Sequence, residues 1–331
     1  MRAWRVLRHG DPSEVLALED GVPLPAPEGD QIEIEIAACA LNFADDLLCR
    51  GTYQERPPLP FTPGLEVAGT VTAVGPAATH SVGDRVAGSP LLPHGGLAER
   101  CLARSVDVFP IPASMPEVVA AAMHVTYQTG WFALHRRARL EIGETLLVHA
   151  GAGGVGSAAI QLGKAAGSRV IATAGGAEKT ALCRQLGADV TVDTTCEDFV
   201  AVVNELTGGL GAEVIFDPVG GETFTGSTRC IAWEGRIVVI GAAGGRYAEA
   251  RTNHVLVKNY SILGLNWGGY RTRRPELVRA AHEELIRLHA DGLVEPLISE
   301  VVALAEARDA LAALTARRTT GKIVVTPGGS S

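Results

Sequence analysis

Apolar and polar residues alternate strictly at 31–37, QIEIEIA, and a period of two marks a strand with one buried face. Residues 67–74 and 85–87 continue in the same manner, punctuated by Gly64, Gly69, Gly75 and Gly83. Pro57, Pro58, Pro60 and Pro63 hold the backbone extended or turned ahead of Gly64. Residues 1–110 therefore predict a compact β-rich unit.

After Pro112 the period lengthens. Helical spacing covers 115–134, with Pro116 suited to a first turn. From 144 onward strands and helices alternate: strands at 146–149, 169–173, 190–192, 214–216 and 236–240, helices at 154–166, 178–186, 199–206 and 223–231. Such a rhythm predicts a mostly parallel sheet covered on both faces. Further on come a strand at 261–265, an amphipathic helix at 275–290, a strand at 298–302, a short helix at 304–314 and a final strand at 322–326. The two closing strands match the N-terminal material in character. The parallel-sheet domain is thus expected as an insertion at 123–267, within a discontinuous domain made of 1–122 and 268–331. The closing Gly328–Ser331 reads as a frayed tail.

Composition narrows the function classes. The 331 residues fit about two domains, and a net charge of −8 argues against a dedicated nucleic-acid binder. The opening MRAWRVLRHGDPSE reaches charge and a turn before an apolar signal core can form, and no long uncharged apolar run follows. A cytoplasmic protein with neither membrane span nor export signal is expected. Cys39, Cys49, Cys101, Cys183, Cys196 and Cys230 show no CxxC spacing, so reduced thiols and no metal cluster are expected. The 39 glycines are an excess, pointing to tight turns and close backbone approach to a flat or charged ligand.

The strongest local signal is LLVHAGAGGVG at 146–156. Gly151, Gly153 and Gly156 satisfy GxGxxG between a strand and a helix, the context of a dinucleotide-binding turn. Gly151 is expected to permit the tight turn, Gly153 the approach of a pyrophosphate and Gly156 close helix packing, with Gly154 and Val155 opening the helix beneath the phosphates. An NAD site would place an acid about 20 residues on; here Ala174 stands in that place. NADPH is therefore the expected cofactor, with Lys179 as a compensating charge. His149 reads as a packing residue and His94 as a loop histidine.

These segments, taken in order, resemble the medium-chain dehydrogenase/reductase superfamily, and within it the zinc-free NADPH:quinone oxidoreductase group. The residues carrying the resemblance are NFADDLLCRGTY at 42–53, PGLEVAGTVTAVG at 63–75, VGDRV at 82–86, GGLAE at 95–99, HAGAGGVG at 149–156 and TTGKIVV at 319–325. The resemblance implies a Rossmann domain inserted in a GroES-like catalytic domain, a site in the cleft between them, and a homodimer joined through Rossmann sheet edges. It implies no metal: Asn42 stands where zinc relatives carry a catalytic cysteine, Leu65 where they carry a histidine, and Cys101 alone remains of four clustered cysteines. It also implies that Asn42 and Tyr53 contact the acceptor, by amide donation and by stacking or hydroxyl donation. Asp45 is expected to organise its loop through backbone hydrogen bonds. Thr129, Val219, Gly241, Asn266 and Trp267 match cofactor positions, and Lys322 resembles a lysine near the 2′-phosphate. Two departures stand out: Asp193 replaces a tyrosine after the third Rossmann strand, and a serine or threonine is missing at the end of the second.

Without a Lewis acid, hydride transfer needs an electron-poor acceptor, so a quinone or small α,β-unsaturated carbonyl is the expected substrate. Two alternatives remain open. One is an enoyl-CoA (acryloyl-CoA-like) reductase using Arg271, Arg273 and Arg274; the other is a non-enzymatic NADPH-binding redox sensor or structural protein.

Overall fold

The alternation at 31–37 becomes the longest strand of a seven-stranded sheet, Gln31–Ala40, whose Ile32, Ile34 and Ile36 are buried beside half-exposed Glu33 and exposed Glu35. Each such isoleucine contributes about 1.5–3 kcal/mol by leaving water. In this computed structural model, which describes residues 1–328, Val67–Val74 and Arg100–Arg104 flank that strand antiparallel, and Arg85–Gly88 and Val108–Pro110 extend the sheet. The chain's last strand, Lys322–Thr326, returns to the same sheet, with Val324 opposite Ala40 and Val325 opposite Cys39. Ile298–Ala303 pairs beside it. The expected frayed tail falls largely on 329–331, outside the described residues.

A second sheet of six strands is parallel throughout: β1 Thr145–Val148, β2 Arg169–Ala174, β3 Val190–Asp193, β4 Ala212–Asp217, β5 Ile231–Val239 and β6 Ser261–Gly264. Their order is β3-β2-β1-β4-β5-β6, the doubly wound Rossmann arrangement, with its switch point between β1 and β4. The connecting helices include α1 Gly154–Ala165, α2 Ala177–Gln185, α3 Phe199–Leu206 and α4 Gly221–Cys230. All four residues of β1 are buried, as a central parallel strand covered on both faces requires.

The chain divides into two units, one of residues 1–125 with the segment from Pro296, the other Thr126–Glu295. The boundaries differ from those expected, chiefly because residues 268–295 group with the second unit. Side chains tie them there. Trp131 Nε1 donates to Glu284 Oε2 at 3.0 Å, Trp267 Nε1 to Gln128 Oε1 at 3.2 Å, and the Phe132 and Tyr270 rings lie 4.3 Å apart. These contacts join the helix Pro275–Ala290 and its approach to the end of the helix Glu117–Trp131 and to Phe132 just beyond it, a link that periodicity does not reveal. Among the described residues no helix is long and apolar enough to cross a membrane.

Candidate functional site

Between β1 and α1 the chain turns at Ala150, which has φ 51°, a left-handed conformation carried by a non-glycine residue. Gly151 therefore differs from its expected role as the turn residue. A Cβ on Gly151 would stand 2.9 Å from Cys183 Sγ and 3.0 Å from Ile160 Cδ1, so its smallness serves packing. A Cβ on Gly156 would lie within 2.2 Å of the Ala150 carbonyl oxygen, which closes that position to any side chain. Gly153 is different: its only close neighbour would be the Ala150 oxygen at 3.3 Å, and it is half-buried. The first-turn N–H groups of α1, at Gly154, Val155 and Gly156, have no acceptor one helical turn earlier in their own helix. With the helix dipole behind them they form an anion cradle. The residues fit a dinucleotide diphosphate.

Parallel strands bring their carboxyl ends to one edge of the sheet, and most of the expected cofactor residues follow such ends. Val219 comes after β4, where Asp217 Oδ1 accepts from the N–H groups of Val219 at 2.8 Å and Gly220 at 2.9 Å and fixes the loop. Gly241 follows β5, anchored by the neighbouring Ile240 N–H donating to the Asp217 oxygen. Asn266 follows β6 and is exposed; its Oδ1 accepts from Gly269 N–H at 3.2 Å. Trp267 is held by Gln128, the residue before buried Thr129. Lys179 lies half-buried in the first turn of α2, after β2.

His149 is buried and neutral. Ser227 Oγ donates to Thr223 O, so it accepts from His149 Nε2 at 2.8 Å, leaving Nδ1 to accept from Thr173 Oγ1 at 3.0 Å. Burial pushes its pKa down to about 4. It ties β1 to β2 and α4 and serves as the packing residue expected.

The end of β2 supplies what sequence spacing missed. Ala174 lies in register with Asp193 at the end of β3. Asp193 Oδ1 accepts from Gly176 N–H at 2.8 Å, Thr195 N–H at 2.9 Å and Thr195 Oγ1 at 2.6 Å. An acid therefore stands beside the second strand's end, delivered by the adjacent strand.

The first unit holds a buried polar cluster around the start of the short helix Phe43–Cys49. Asp45 is wholly buried and accepts from Asn42 N–H at 2.8 Å and Gly64 N–H at 3.0 Å, which joins two loops as expected. Burial outweighs those bonds and pushes its carboxyl up to about 7. Asn42 Nδ2 donates to the Ala40 oxygen at 3.2 Å. Tyr53 is half-buried against the apolar core of its unit.

Lys322 departs from the expected phosphate contact. It is buried, and its ammonium donates to Leu41 O at 2.8 Å and Asn42 Oδ1 at 2.7 Å and pairs with Glu66 Oε1 at 2.5 Å. An ammonium has three hydrogens and no more, so none is left for a phosphate. Glu66, wholly buried, also accepts from Val125 N–H at 2.6 Å. Burial raises its pKa while Lys322 works against that rise. Sequence reading assigned Glu66 no role; Glu66 in PGLE and Lys322 in TTGK are 256 positions apart, and only the returning strand joins them.

Comparison with known proteins agrees with this architecture. A family model described as alcohol dehydrogenase GroES-like domain matches residues 28–113, and one described as zinc-binding dehydrogenase matches 154–283. Quinone oxidoreductase-like protein 2 of Bos taurus is 38% identical over 98% of this chain and 93% of its own. The solved quinone oxidoreductase of Pseudomonas syringae pv. Tomato DC3000 superposes with a TM-score of 0.92, at 33% identity over 98% and 99% of the two chains. The quinone oxidoreductase of Escherichia coli complexed with NADPH gives a TM-score of 0.92, at 30% identity over 99% and 100%.

Proposed function

The chain belongs to the medium-chain dehydrogenase/reductase superfamily, and on that premise we propose that this oxidoreductase uses NADPH to reduce a quinone or a small α,β-unsaturated carbonyl without zinc. The observation carrying the proposal is the open cradle at Gly153, Gly154 and Val155, set on a helix N-terminus at the switch point of a Rossmann sheet. When bound, a reduced nicotinamide supplies a hydride, which with one proton converts the acceptor to its reduced form. The cradle's N–H groups hold the diphosphate. Asn42 Nδ2 donates to Ala40 O and its amide also bonds the Glu66 carboxylate; turned from one of these to the acceptor, it would polarise the acceptor's carbonyl oxygen as negative charge develops there. Tyr53 packs or hydrogen-bonds the acceptor ring.

Zinc independence rests on the donor set. Among the described residues no group of three or more His, Cys, Asp or Glu is placed to hold a metal ion, and zinc needs three or four such ligands at tetrahedral reach. The arginines suggested for an enoyl thioester are less suited to that task, since Arg274 is already paired with Glu276 at 2.5 Å. A homodimer through the sheet edge is supported by the outermost position of β6 and by exposed Tyr247, Leu256 and Val257 nearby in sequence. The deciding experiment follows NADPH oxidation against a panel of quinones, enones and enoyl-CoAs, with sedimentation for the dimer. Turnover confined to quinones or enones supports the proposal. Turnover with enoyl-CoA alone favours the thioester reductase, and NADPH binding without turnover favours the sensor.

A further inference from the structure

A Rossmann site reads the adenosine ribose at the end of its second strand, where an acid accepts from the free 2′-hydroxyl and a cation receives a 2′-phosphate. Ala174 removes the acid from that strand, and sequence alone reads the loss as room for phosphate. The structure restores a carboxylate to the same place. Asp193 ends β3 in register with Ala174, and its Oδ1 takes the N–H of Gly176, which precedes α2. That amide is one of the donors a phosphate at the α2 terminus would use. The carboxylate thus occupies the donor and presents like charge to the incoming anion.

The surrounding charges point the same way. Glu197 Oε2 accepts from Asp193 N–H at 2.7 Å, and Glu178 lies in the first turn of α2. Against these three acids stands Lys179 in the same turn. Hydrogen bonds from Thr195 and Gly176 hold the Asp193 carboxyl below its ordinary range, which keeps it ionised at neutral pH.

We propose that Asp193 is a specificity-determining residue that stands in for the 2′-phosphate on Gly176 N–H and so restrains selection of NADPH over NADH. This rests on dinucleotide binding at the α1 cradle and concerns only the far end of that ligand. Removing the charge alone separates it from removing the hydrogen-bond acceptor. Asp193→Asn keeps an oxygen for Gly176 and discards the charge, whereas Asp193→Ser shortens the side chain and releases the amide.

The test is equilibrium titration of the full chain and both variants with NADPH, NADH, 2′,5′-ADP and 5′-AMP, alongside thermal unfolding to confirm folding. The expected result is a rise of about tenfold in the NADPH-to-NADH affinity ratio for Asp193→Ser, on the scale of one nearby charge in a solvated setting, and a smaller rise for Asp193→Asn, which leaves Gly176 N–H occupied. The 2′,5′-ADP-to-5′-AMP ratio should rise with it. Ratios unchanged in the folded variants overturn the role of Asp193 and leave the dinucleotide site standing. Failure of the unaltered chain to bind either dinucleotide overturns the site and the inference together.

Discussion

Lys322 Nζ lies 2.7 Å from Asn42 Oδ1, and both residues are more than nine-tenths buried. An ammonium can only donate, so it requires the amide oxygen on its side and turns Nδ2 the other way. The lysine thereby fixes which end of the Asn42 amide is the donor. It does so while neutralising Glu66, whose charge would otherwise stand alone in the core.

Lys322→Met should cost about 3–5 kcal/mol in urea unfolding, because it strands a buried carboxylate. The double variant Glu66→Gln, Lys322→Met should recover part of that loss, since no uncompensated charge remains. A double variant as unstable as Lys322→Met alone would show that packing, not charge, sets the cost.

Asn42→Ala and Tyr53→Phe separate acceptor chemistry from cofactor binding. A lost hydrogen bond of about 1–3 kcal/mol corresponds to a decrease of roughly 5–150-fold in kcat/KM for the acceptor. The Kd for NADPH should stay within about twofold. Steady-state kinetics with fluorescence titration gives both quantities, and unchanged acceptor kinetics in both variants would remove these side chains from the reaction.

The glycine cradle yields a contrast within one motif. Gly156→Ala forces a methyl onto the Ala150 oxygen, a backbone atom 2.2 Å away, and overpacking of this kind costs about 1–3 kcal/mol. Gly153→Ala meets that oxygen at 3.3 Å and should fold nearly normally while binding NADPH more weakly. Thermal unfolding paired with NADPH titration reads the two effects apart.

Elemental analysis of purified protein should find well below one zinc per chain, and prolonged chelation should leave turnover unchanged. Stoichiometric zinc with chelator-sensitive turnover would contradict a metal-free reaction.

His149 gives the chain a defined acid sensitivity. Its pKa is about 4 in the fold against 6.5 for the free side chain, so between these values the unfolded chain binds a proton that the folded one does not. Its contribution is complete above pH 6.5 and is lost as pH falls toward 4. His149→Gln should flatten stability against pH in that window by up to about 1.4 kcal/mol per pH unit, measured by denaturant unfolding at several pH values.

Much of the fold is legible from local pattern. The QIEIEIA strand, the Gly151–Gly156 turn and the alternation after residue 144 are visible because period and glycine spacing act over a few residues. The expectation of closing strands returning to the N-terminal sheet also came from their character. What local pattern could not carry was pairing over long separations. The resemblance places Lys322 near a phosphate, whereas its partners Asn42 and Glu66 lie 280 and 256 positions away, and Asp193 stands beside Ala174 only through strand register. The second unit runs on to Glu295 for the same reason: Glu284 and Tyr270 find Trp131 and Phe132 across more than a hundred residues.

The discontinuous first unit also sets a timetable. Every strand of the parallel sheet lies within residues 126–295 and can assemble while the chain is still being made. The strand Gln31–Ala40, synthesised long before, waits for Lys322–Thr326 to take its place beside it. Asn42 receives the lysine that orients it only after a further 280 residues have been made. A chain cut short before that point retains its phosphate cradle yet lacks an oriented Asn42 amide, so adding the strand of Lys322 and seating that amide are one event.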